Sequence, residues 1–147
     1  MRSQIVRFDS QLTLLIKVKV MINPVETVRL FKSQPEQTYA PGEVIFREGE
    51  EGHIMYGVIE GEVEMCIDGK VIETVHEGDI FGQGALVHLD HLRTSTAIAK
   101  TECTLACLDR KSFLFAIQET PMFAIEVMRS YSDRYRRLKR LVECLAM

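Results

Sequence analysis

From Gln37 to Leu108 the chain alternates short apolar, β-branched runs with glycine-bearing turns. The runs are Val44-Ile45-Phe46, Ile54 to Ile59, Val63 to Ile67, Val71 to Val75, Thr96 to Ala99 and Thr104 to Leu108. Turn signals at Pro41-Gly42, Glu48-Gly49, Gly61, Asp68-Gly69 and Glu77-Gly78 recur roughly every eight to twelve residues, a rhythm that predicts an antiparallel sandwich or barrel rather than βαβ units. Asp68-Gly69 is the strongest hairpin signal, because a two-residue turn that matches strand twist prefers positive φ at both central positions.

Helical periodicity brackets this region. Asn23-Pro24-Val25-Glu26 combines a capping residue, a proline suited to the first helical position and an acid placed to reach back to the cap. Val25, Val28 and Phe31 then share one face, which predicts a helix over about 24–32. Asp109 can cap a second helix over about 110–119 with Phe113, Leu114 and Ile117 turned inward. Thr120-Pro121 opens a third that meets no breaker before the C-terminus, roughly 39 Å at about 1.5 Å per residue. Along it Met128, Tyr131, Tyr135, Leu138, Val142 and Leu145 follow at spacings of three and four, a heptad seam that wants a partner helix. Arg129, Arg134, Arg136, Arg137, Lys139 and Arg140 decorate its other faces. The expectation is a homodimer through this helix. The alternatives are a helix packed on its own domain and a basic helix for nucleic acid or anionic lipid. The expected organisation is an N-terminal extension over 1–20, a mainly β domain with short flanking helices over 21–120, and the long helix over 121–147.

Composition narrows the function classes. The 147 residues, 46% hydrophobic, suit one domain able to bury a core. A net charge of −3 argues against a surface devoted to nucleic acid. No apolar run approaches the length of about eighteen residues that a membrane span needs. Residues 1–20 place Arg2, Arg7, Lys17 and Lys19 around Leu12-Thr13-Leu14-Leu15-Ile16, too short and too interrupted for a signal peptide, so they read as an added arm. Cys66, Cys103, Cys107 and Cys144 form no CxxC pair. Cys103 and Cys107 share one strand face, which suits reduced core thiols and a cytoplasmic address. No nucleophile–base set or metal-ligand cluster stands out, so neither an enzyme nor a metal site is expected.

The candidate chemistry lies in Gly78-Asp79-Ile80-Phe81-Gly82-Gln83-Gly84-Ala85-Leu86, followed by Arg93-Thr94-Ser95-Thr96. A glycine-bounded turn, a segment able to form one helical turn and an arginine entering a strand are the parts that hold one small anion. Gly82 and Gly84 allow close backbone approach. Arg93 supplies a planar fork for two phosphate oxygens, and Gln83 stands beside the turn where it can bond a sugar hydroxyl. His88 and His91 read as solvated loop residues.

The ordered set Pro41-Gly42-Glu43-Val44-Ile45-Phe46-Arg47-Glu48-Gly49, then Tyr56 and Gly61, then Gly78-Asp79 with Phe81-Gly82, and Arg93 before a strand, resembles a cyclic-nucleotide-binding domain in the arrangement of the bacterial catabolite activator family. The resemblance covers about residues 24–145. It implies an eight-stranded, jelly-roll-like β-roll with one short helix in front and two behind, the second forming a dimer interface. It further implies that Arg93 pairs with the cyclic phosphate of cAMP or cGMP, that the Gly84 and Ala85 backbone donates to it, and that Thr94, with Ser95 in the same cassette, adds a hydroxyl. Gln83 stands where the family usually carries a ribose-binding glutamate, and Leu141 and Val142 stand where the activator's base-reading pair would be, as an apolar cap. Thr94 after the arginine is shared by cGMP-preferring sites and cAMP-binding activators alike. The sequence reaches Met147 without a recognition helix, so direct DNA binding is not expected. The expected function is a regulatory module that binds a cyclic nucleotide and signals to an effector protein through the long helix. The alternatives are a non-binding β-roll dimer acting as a scaffold and a fragment of a transcription regulator, or a haem or redox sensor on the same scaffold.

Overall fold

The computed structural model describes residue 11 and residues 23–146. The extension expected over 1–20 lies outside the described residues apart from Gln11. Helix α1 (Pro24–Phe31) is followed by strands β1 (Gln34–Tyr39), β2 (Val44–Phe46), β3 (Ile54–Glu60), β4 (Val63–Ile67), β5 (Lys70–Val75) and β6 (Ile80–Phe81). Then come the one-turn helix α2 (Gly84–Val87), β7 (Thr96–Ala99), β8 (Cys103–Asp109), α3 (Arg110–Glu119) and α4 (Met122–Ala146).

The strands make two antiparallel four-stranded sheets, ordered β1-β8-β3-β6 and β2-β7-β4-β5. Between them lies an apolar layer that includes Phe46, Tyr56, Val58, Met65, Phe81, Leu105, Cys103 and Cys107. The opposite face of the first sheet is covered by the helices, through Val25, Val28, Met55, Ile80, Leu86, Leu108, Phe113, Phe123 and Val127. Because β3 and β8 are buried on both faces, their residues serve the two layers in alternation, Tyr56 and Val58 inward, Met55 toward the helices. Helix α1 sits close on Gly57, where a Cβ would come within 3.2 Å of Val25 Cγ1. Each fully buried aliphatic side chain of these layers contributes about 1.5–3 kcal/mol.

Local signals explain most boundaries. Asp68 and Gly69 have φ of 50° and 76°, and Ile67 faces Lys70 across the two-residue turn between β4 and β5. Asn23 accepts from the Val25 N–H and Asp109 from the Ser112 N–H, capping α1 and α3. Two expectations fail locally. The Glu26 carboxylate does not close a capping box but pairs with Arg29 at 3.7 Å, one turn on. Leu114 is half exposed, and Ala116 takes the inward position with Phe113, because the buried face of α3 is narrower than its apolar content.

Candidate anion site beneath the long helix

Two chain segments frame the site. The loop after β2 runs beside residues 91–93, tied by the bonds of Gly49 N–H to Arg93 O, Arg93 N–H to Glu50 O and Gly52 N–H to His91 O, each 2.8 Å. The other segment runs from β6 through the turn at Gly82, whose φ of 78° favours glycine, into α2. The Leu86 N–H already bonds Gln83 O and the His88 N–H bonds Gly84 O. The amides of Gly84 and Ala85, at the free start of that turn, have no intrahelical acceptor.

Arg93 passes between these segments and is 6% exposed. Its Nη1 donates to Gly82 O at 2.7 Å and its Nη2 to Ile54 O at 2.6 Å, while the guanidinium carbon lies 4.0 Å above the Phe46 ring. Burial lowers its pKa, partly offset by Tyr56 and Glu50, but a guanidinium stays charged. Among the described residues no carboxylate forms an ion pair with it. Its Nε is buried and unpaired. Room for the group comes from glycine: a Cβ on Gly52 would fall on Arg93 Nε, and one on Gly82 would lie 2.9 Å from Nη1.

The guanidinium forms part of the wall of a cavity of about 380 Å³, within the range of small-molecule sites. Gly82, Gln83, Gly84, Ala85, Arg93, Thr94 and Ser95 all line it, so the structure brings together every cassette residue singled out from the sequence. Gln83 is fully buried, and among the described residues neither its amide oxygen nor its nitrogen has a partner. Two orphaned polar atoms cost about 1–3 kcal/mol each unless something fills the space and bonds them. The remaining wall is largely apolar, with Phe46, Met65, Ile67, Ile72 and Leu92.

The far wall is α4. Tyr131, Arg134, Tyr135 and Leu138 line the cavity, and the Tyr131 hydroxyl would lie 3.3 Å from a Cβ on Gly84. Burial raises the Tyr131 phenol pKa, with Arg134 opposing. Arg134 fixes the helix to the second sheet, its Nε 2.8 Å from Glu73 on β5, and it also donates to Ile80 O. Leu141 and Val142 do not line the cavity and are 46% and 64% exposed. They stand one to three turns beyond the residues that do. All six residues of the heptad seam are exposed on this chain, Tyr135 by 68%, and three of them, Tyr131, Tyr135 and Leu138, also line the cavity. His91 departs from the solvated reading: its Nδ1 lies 2.8 Å from Ala85 O and its φ is 56°, so it ties the 88–92 loop to α2.

Glu73 and Arg134 line the cavity and Gly52 packs on Arg93, yet the sequence assigns Gly52 and Glu73 no role and Arg134 only a place on the polar side of the long helix. Gly52 carried a faint signal, a glycine outside any tight hairpin and two residues before a strand. Glu73 carried none, since a charged residue in a β-run reads as a solvent-facing position. All four cysteines are free, with Cys66, Cys103 and Cys107 buried and Cys144 exposed. Among the described residues no cluster of potential metal ligands exists, and no helix is long and apolar enough to cross a membrane.

Residues 36–120 match the family model of the cyclic nucleotide-binding domain. The cAMP-dependent protein kinase regulatory subunit of Schizosaccharomyces pombe is 38% identical over 76 residues, which cover 51% of this chain and 18% of that protein. The corresponding subunit of Eremothecium gossypii is 36% identical over 84 residues, 57% of this chain and 18% of that one. The chain thus spans under a fifth of the length of these curated relatives. Among solved structures, cAMP-bound PfPKA-R superposes with a TM-score of 0.62 at 34% identity, covering 73% of this chain and 36% of that one. The Thermus thermophilus catabolite activator protein reaches 0.68 at 23% identity, over 84% and 59% of the two chains, a likeness of fold.

Proposed function

Because this chain belongs to the cyclic nucleotide-binding domain family, we propose that it is a non-catalytic regulatory module whose ligand is a purine 3′,5′-cyclic nucleotide, cAMP or cGMP. One observation carries the reading: a buried arginine with no anionic partner among the described residues stands in a cavity wall beside a buried glutamine amide that none of them bonds. A lone buried cation costs several kcal/mol, and an anion delivered to it recovers that cost. Guanidinium has five N–H groups, of which two are engaged by Gly82 O and Ile54 O. The others remain for a phosphate that carries a single charge.

The roles follow from position. Arg93 and the Gly84 and Ala85 amides hold the phosphate, Thr94 and Ser95 add hydroxyls, and the Gln83 oxygen accepts from the ribose 2′-hydroxyl. Gly82 orients Arg93 through its carbonyl and lets the chain turn. The base lies against Tyr131, Tyr135 and Leu138, so occupancy bears directly on α4. A ligand moves α4 only by the difference in its affinity for the two helix positions. Through the exposed Met128, Val142 and Leu145 edge, α4 then meets a second copy of the chain or an effector protein in the cytoplasm.

Thermal shift tests this. Cyclic nucleotide at about a hundred times its Kd stabilises the native chain by about 2.7 kcal/mol and raises Tm accordingly. No shift with cAMP or cGMP at millimolar concentration overturns the reading. So does an unchanged shift in Arg93→Ala.

A further inference from the structure

Glu73 and Arg134 approach each other at the cavity wall, one from β5 and one from α4. Arg134 Nε lies 2.8 Å from Glu73 Oε1, with the two side chains 12% and 13% exposed. Yet that oxygen is buried and accepts no hydrogen bond from any described residue, so the pair is close in distance and misaligned in direction. Arg137 Nη2, 4.0 Å away, adds charge and no bond. The carboxylate is therefore held in place by cations while its Oε1 lacks a hydrogen bond. Around it Met65, Ile67, Ile72, Tyr135 and Leu138 supply apolar surface suited to a flat ring.

Resting on the cyclic-nucleotide reading above, we infer that Glu73 and Arg134 read the base, and that they select guanine, making cGMP the preferred ligand over cAMP. Guanine carries N1–H and the N2 amino group side by side, two donors that match the two oxygens of one carboxylate, and its O6 is an acceptor for the neighbouring guanidinium. Adenine offers the N6 amino group beside the bare N1 lone pair, which faces a carboxylate oxygen with repulsion. The polar pair thus uses both of its charges on guanine and one on adenine. A site that leaves its own buried polar groups unpaired with the wrong ligand discriminates far more sharply than one that lacks apolar contact.

Calorimetric titration of the whole chain with cGMP, cyclic inosine monophosphate and cAMP tests the inference. The inosine ligand keeps N1–H and O6 and lacks the amino group. Affinity falls in that order, with cGMP at least about tenfold tighter than cAMP. In Glu73→Gln the new amide can pair with adenine N6 and N7, so the cGMP to cAMP ratio collapses toward one or reverses. If Glu73 served only to anchor α4, the variant would weaken both ligands alike and leave the ratio intact. Equal wild-type affinity for the two nucleotides, or an unmoved ratio in the variant, overturns the base assignment and leaves the phosphate site standing. Absence of heat with all three ligands overturns both readings, starting from Arg93.

Discussion

Replacing Gly52 with alanine displaces the guanidinium without removing it. Gly52 is buried and its backbone is outside the left-handed region, so alanine adds no dihedral strain, and the added methyl falls on Arg93 Nε. The clash is met by a side-chain end, not by backbone, so Arg93 is what moves. It forfeits its bonds to Gly82 O and Ile54 O, charge-assisted contacts of 2.7 and 2.6 Å that contribute about 1.5–3 kcal/mol each. It also leaves the Phe46 ring, a contact of about 0.5–2 kcal/mol. Rehydration of the expelled cation returns much of that to the fold, and alanine restricts the unfolded chain by about 0.4–1 kcal/mol. Net stability therefore drops by only about 1–3 kcal/mol, the usual cost of overpacking. Ligand affinity suffers more, because the phosphate loses its aligned cation: about 2–4 kcal/mol, roughly thirty- to a thousandfold in Kd. Urea unfolding and calorimetric titration separate the two effects. Gly69→Ala is the control. Its φ of 76° makes alanine strained by about 1–2 kcal/mol, with no atom within 4 Å of the new methyl and no link to Arg93, so stability falls and Kd stays. A Gly52→Ala protein that folds and binds cyclic nucleotide with wild-type affinity refutes the claim that this guanidinium position matters.

Three further outcomes follow from single features. Asp109→Ala removes the bond to the Ser112 N–H, 2.8 Å long, and lowers stability by about 1 kcal/mol in urea unfolding, whereas Asp109→Ser keeps most of it. Burial pushes the Tyr39 phenol from its usual 10.0 up to about 12 and raises that of Tyr56 as well. The unfolded chain then ionises first, so the stability held by these phenols is whole below pH 10 and is lost as pH rises toward about 12; urea midpoints against pH show that decline, and Tyr39→Phe flattens it. A thiol reagent finds one fast cysteine, Cys144, in the native protein and four after unfolding, because Cys66, Cys103 and Cys107 are buried.

The sequence was most legible where one local rule decides the outcome. Every run named as a strand is one, to within a residue or two, since β-branched alternation and the Asp68-Gly69 turn leave little choice of register. The caps at Asn23 and Asp109 fixed two helix starts. Strand β1 was invisible because Gln34–Tyr39 has no apolar rhythm; its place is set by pairing with β8, which no local signal announces. Glycines and Arg93 singled out the 82–85 and 93–95 residues that line one cavity in the structure. The rest of the site depends on which surfaces meet. Arg134 reaches Glu73 and Ile80 O across 61 and 54 positions of chain, and Gly52 matters only because Arg93 arrives beside it. The stripe through Tyr131, Tyr135 and Leu138 shows a similar ambiguity: a heptad seam and a helix lying over a cavity demand the same apolar spacing, and only the packed structure shows these three at the cavity.

The central claim is that the buried charge of Arg93 exists to meet a cyclic phosphate. Titration calorimetry with cGMP and cAMP on the wild-type chain, Arg93→Lys and Arg93→Ala tests it most directly. The account predicts saturable one-to-one binding by the wild type, a weakened isotherm for lysine, which keeps the charge without the fork, and no heat for alanine. Equal binding by all three proteins would contradict it.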